Sequence, residues 1–74
     1  MRLEKVKEGL KVRTHGSLES TMGLLVARKH LDARQPNKEG EVKGWVPGHG
    51  GDVWWVAHND ETVGAYSFEE FEPV

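Results

Sequence analysis

The stretch that decides the fold is Asp52-Val53-Trp54-Trp55-Val56-Ala57-His58-Asn59-Asp60-Glu61-Thr62-Val63-Gly64-Ala65-Tyr66. Val53 to Val56 is an unbroken run of β-branched and aromatic residues, which predicts a strand over 52–58. Asn59-Asp60-Glu61 is a tight turn into a second strand over 62–66, so the stretch reads as a hairpin. Neighbouring residues of a strand point to opposite faces, so Trp54 and Trp55 cannot both fill one interior. One of them needs another home. It can lie under a loop, against a second subunit, or in an open groove for a peptide, a methylated amine or a nucleobase. Packing under a loop or in a dimer interface is the preferred reading, because large exposed apolar patches mark protein contacts.

Downstream, Ser67-Phe68-Glu69-Glu70 suits one helical turn, with Ser67 as cap and Glu70 as its partner three residues on. Phe71 to Val74 then forms a short edge strand limited by Pro73. Upstream, Gly48-His49-Gly50-Gly51 is a flexible connection; no helix follows it, so it is no phosphate loop. Glu41 to Val46 alternates Val42, Gly44 and Val46 against Glu41, Lys43 and Trp45, a strand that Pro47 stops. This places Trp45 opposite Val42 and Val46, as a further exposed aromatic. Leu31 to Gly40 is rich in loop and turn residues and reads as a surface loop. Between Ser17 and Gln35 the residues Leu18, Met22, Leu25 and Val26 fall at helical spacing with Ser17 as an N-cap, whereas Gly23, the block Leu24-Leu25-Val26 and the β-branched Thr21 favour a strand over about 21–29. Strand is the preferred assignment. Gly9 opens a first strand over 9–15, where Leu10, Val12 and Thr14 alternate with Lys11, Arg13 and His15.

The 74 residues hold no cysteine, 36% apolar and 30% charged residues, a globular balance with neither a disulfide framework nor a thiolate zinc site. A chain this short makes one domain, 1–74, with a thin core. The charged N-terminus lacks a signal-like apolar region and Met22–Ala27 is far short of a bilayer span, so a soluble cytoplasmic protein with no membrane partner is expected. All ten Lys and Arg residues lie in the first 43 positions, and half of the twelve acids follow Lys43, where no Lys or Arg occurs. A solvated surface is the plain reading of that asymmetry; a basic strip for an anionic partner is the functional one.

Five short strands, a longer loop near the middle and one helical turn before the last strand are the plan of an all-β, SH3-like five-stranded barrel. The tail from Asp52 to Tyr66 resembles the last hairpin of Tudor-like, KOW-like and MIB/HERC2-type domains, in which an aromatic strand turns through acidic residues and ends in tyrosine. That resemblance implies the fold and transfers no site. A second resemblance is to plasmid-borne type II dihydrofolate reductase, also an SH3-like barrel, through Val12-Arg13, Gly44-Trp45, Ala57-His58 and Val63 with Tyr66. The Gln and Ile that line that enzyme's pore are Gly64 and Ala65 here, and Thr14 and His15 stand where its lysine is expected, so the resemblance implies the barrel without the reductase.

Nothing in the residue pattern indicates catalysis. Ser17, Ser20 and Ser67 sit in no nucleophile context, Glu69, Glu70 and Glu72 read as a solvated capping cluster, and His15, His30, His49 and His58 lack metal-ligand spacing. No cofactor and no metal are expected. The function expected is a non-enzymatic interaction module that takes a protein segment, or self-associates into a homo-oligomer, through Trp45, Trp54, Trp55 and Tyr66. The first alternative is a nucleic-acid-binding barrel using Lys11, Arg13, Arg28, Lys29 and Lys43 on phosphates. The second is an oligomeric enzyme with a site between subunits.

Overall fold

The computed structural model of the chain describes residues 6–18 and 24–74. Five strands form one antiparallel sheet: β1 (Lys11–Thr14), β2 (Glu39–Trp45), β3 (Val53–His58), β4 (Val63–Ser67) and β5 (Phe71–Pro73), in the order β4-β3-β2-β1-β5. A 3-10 turn, Phe68–Glu70, precedes β5, and its capping box forms as expected, with Glu70 Oε1 accepting the Ser67 N–H at 2.9 Å. The hairpin pairs Val53 with Ser67 through Ala57 with Val63. Its turn holds Glu61 at φ 72°, the left-handed region.

The expected strand over 21–29 does not form. Thr21 to Gly23 lie outside the described residues, Leu24 to Ala27 pair with no strand, and Arg28–Asp32 is a short helix, α1. The apolar block 24–26 serves another purpose: Leu24 and Val26 pack on the sheet instead of extending it. The expected loop over 31–40 is correspondingly shorter, bounded by α1 and by β2 starting at Glu39.

Each of the five strands contributes to one cluster, Val12, Val42, Val56, Tyr66 and Phe71, joined by Val6 and flanked by Leu10, Leu18, Trp54 and Phe68. A second cluster, Val46, Val53 and Ala65 with Trp55, lies under Leu24 and Val26. A register shift between Val42 and Gly44 divides β2 between the two. The extra residue reverses the alternation, so Val42 joins the first cluster and Val46 the second. Trp45, read from plain alternation as lying opposite Val42, is instead the cross-strand partner of Trp54.

The sheet is not closed, and the expected barrel is therefore absent as a strand-paired cylinder. β4 and β5 are its two edges. Arg34 and Gln35, from the connection between α1 and β2, span the opening. Arg34 Nη1 donates to the Ala65 carbonyl on β4 at 3.0 Å and Nη2 pairs with Glu70 beside β5. Gln35 N–H donates to the Tyr66 hydroxyl on β4 at 2.7 Å, and its carbonyl accepts the Thr14 hydroxyl of β1 at 2.6 Å. Polar side chains thus fill the seam that strand pairing leaves open.

Candidate functional site

Trp54 and Trp55 face opposite sides of β3, as strand geometry requires. Trp54 packs against the main cluster and its indole N–H donates to the Gly51 carbonyl at 2.9 Å. Trp55 lies on the other face, with the His30 ring 4.6 Å away and Leu24 and Val26 in the same cluster. The second tryptophan is thus housed under the segment that follows residue 23. Trp45, at the end of β2, is 56% exposed and stands across from Trp54. The glycine-rich connection 48–51 begins three residues beyond it, with Gly48, Gly50 and Gly51 all at positive φ. Trp45 and Trp54 form an aromatic ledge of which one ring is accessible and the other anchored. Tyr66 is fully buried and not part of it.

Tyr66 instead belongs to a polar chain, running from the core out to the exposed β3–β4 turn, that composition did not reveal. Its hydroxyl lies 2.7 Å from His58 Nε2, and His58 Nδ1 lies 2.9 Å from the Thr62 hydroxyl, which donates to Asp60 at 2.6 Å. His58 is 5% exposed, and burial pushes its pKa below the ordinary histidine value. Burial likewise raises the Tyr66 phenol. Asp60 is held at about 2, chiefly by the Thr62 hydroxyl and N–H. The two rings meet edge to face, 5.6 Å apart, and a Cβ on Gly64 would come within 2.8 Å of Tyr66 and 3.1 Å of His58. Gly64 thus makes room for this pair.

The basic residues do not gather into one strip. Lys11, Arg13 and Lys43 sit on β1 and β2, where Lys11 and Lys43 flank Glu41 at 2.8 and 2.6 Å and Arg13 pairs with Glu39 at 2.8 Å. The two lysines draw the Glu41 carboxyl down to about 2. Arg28 and Lys29 are on α1, where Arg28 faces Asp32 at 3.6 Å. A shallow groove of about 400 Å³ over Gly40 is lined by Lys11, Lys43, Glu39, Glu41, Asn59 and Val74, a mixture of both charges. Among the described residues no group of three or more His, Cys, Asp or Glu side chains could hold a metal ion, and no helix is long and apolar enough to cross a membrane.

Both sheet edges are guarded, β4 by side chains and β5 by its shortness and its proline. On β4 the Val63 carbonyl accepts from His30 Nδ1 at 2.8 Å, the Ala65 carbonyl from Arg34, and the Ser67 N–H is bound by Glu70. β5 has three residues, one of them Pro73, which has no N–H to offer. Edges so blocked resist strand addition. No family model matches the chain, and no curated protein or solved structure matches it significantly.

Proposed function

We propose that this chain is a non-enzymatic, SH3-like binding module whose Trp45 and Trp54 ledge receives an extended protein segment. The five antiparallel strands, the long β1–β2 connection and the helical turn before β5 support the SH3-like reading. The observation that carries the function is the exposure of Trp45 directly across from an anchored Trp54, on a sheet whose edges are blocked. A large apolar ring held on a rigid strand offers contact area at little entropic cost, and aromatic-lined surfaces of this kind take extended peptides. Edge pairing between copies is disfavoured by the same blocked edges, which favours an outside partner over strand-mediated self-association. Trp55 and Tyr66 act as support for the ledge rather than as contact residues.

The placing of Lys11, Arg13, Arg28 and Lys43 beside carboxylates counts against the nucleic-acid reading, because each carboxylate repels a phosphate brought to its neighbour. The test is selection of twelve-residue peptides from a random display library on the wild-type protein and on Trp45→Ser. Peptides that bind the first and not the second, and that shift the Trp45 and Trp54 indole resonances, are expected. Failure to enrich any sequence, or enrichment that survives Trp45→Ser, would overturn the proposal.

A further inference from the structure

In the polar chain around His58 each proton has a definite place. The Asp60 carboxylate is ionised and accepts the Thr62 hydroxyl proton. With that proton committed, Thr62 Oγ1 can only accept from the imidazole, so His58 carries its hydrogen on Nδ1. Nε2 is then a lone pair that accepts the Tyr66 hydroxyl, and the Tyr66 oxygen accepts the Gln35 N–H. The chain runs from the β3–β4 turn, through a buried ring, to a residue that bridges the open seam of the sheet.

We propose that protonation of His58 is a switch that opens this seam and releases the segment of residues 24–37 from the sheet. A proton on Nε2 turns an acceptor into a donor, and the Tyr66 hydroxyl must then point its own hydrogen elsewhere. The Gln35 carbonyl, the nearest acceptor, stands 3.4 Å away, too far for a good bond. The positive charge meets Asp60 from the turn, which favours it, and Lys38 just before β2, which opposes it. Arg34 and Glu70 lie toward Tyr66 as an ion pair, and the β2 residue opposite His58 is the uncharged Gly40. Burial dominates this balance, so the switch operates on the acid side of the ordinary histidine range. Release lifts Leu24, Val26 and His30 off Trp55 and uncovers a second aromatic face.

Amide hydrogen exchange on the intact chain, corrected for intrinsic rates, tests this between pH 7.5 and pH 4.5, together with the His58 ring resonances. Protection of the Gln35 amide and of the α1 amides is expected to fall at least tenfold as His58 titrates, while the β3 amides keep theirs. In His58→Gln the protection is expected to stay flat across the same range. Loss of protection that ignores His58 titration, or a His58 that titrates without any loss at Gln35, would overturn the switch. The wild-type experiment alone distinguishes these results even where the variant fails to fold.

Discussion

The Arg34 guanidinium and the Glu70 carboxylate form an ion pair whose side chains are only 4% and 3% exposed, and it joins the connection after α1 to the turn before β5. Both groups also bond to backbone: Arg34 to the Ala65 carbonyl and Glu70 to the Ser67 N–H. Removing one member leaves the other charged and out of water, which costs about 3 kcal/mol or more. Glu70→Gln is therefore expected to lose roughly that much stability in urea denaturation. A loss below about 1 kcal/mol would mean that solvent reaches Arg34 as readily as it reaches a surface pair.

The β3–β4 turn offers the opposite result. Glu61 adopts φ 72°, where a Cβ is disfavoured and glycine is not, and its side chain is exposed. Glu61→Gly is expected to stabilise the chain by about 1 kcal/mol, equivalent to roughly 4–8 °C in melting temperature for a domain of this size. Calorimetry decides it: an unchanged or lower midpoint would show that the extra freedom of glycine in the unfolded chain outweighs the relieved strain.

How much of this could be read from the residues depends on how local the signal is. The hairpin, the Ser67 to Glu70 capping box and β1 are set by neighbours within a few positions, and all three form. The opposite orientation of Trp54 and Trp55 follows from strand geometry alone. The bulge in β2 leaves no mark on an alternating pattern, so alternation alone puts Trp45 on the wrong side of the sheet from Val42. Leu24 to Val26 has strand-like composition, but its apolar side chains are used as a lid, a tertiary choice that propensity does not encode. The seam and the blocked β4 edge depend on His30, Arg34 and Gln35 reaching residues 31 to 36 positions away, beyond any periodicity.

Stability is expected to fall on acidification, and the sign follows from His58. Its folded pKa is lowered, so below about 6.5 the unfolded chain binds a proton that the folded chain refuses. The contribution is complete above the unfolded value and declines as pH falls toward the folded one. Asp60 and Glu41, both held at about 2, give a further loss in the same direction, confined to more acid solution below the ordinary carboxylate range. Urea midpoints at pH 7.5, 6.0 and 5.0 are expected to descend in the wild type and to stay nearly level in His58→Gln. Parallel descent in both proteins would assign the acid sensitivity to other groups.

The three tryptophans should separate support from contact. Trp45 is exposed, so Trp45→Ser is expected to change stability by less than about 1 kcal/mol while abolishing segment binding. Trp55 is half-buried beneath the His30 ring and the 24–26 lid, and Trp55→Ala leaves a void in the second cluster that costs about 2–3 kcal/mol. Trp54 combines both roles: its indole N–H holds the Gly51 carbonyl, and its ring borders the main cluster. Trp54→Phe keeps an aromatic ring but deletes the hydrogen bond and part of the indole's bulk, so a loss of about 1–2 kcal/mol with weakened binding is expected. Denaturation curves and peptide affinities measured on the same three variants would separate these roles. Loss of binding that simply scales with loss of stability across the three variants would mean that affinity reports only the folded fraction and that the Trp45 ledge is not the contact surface.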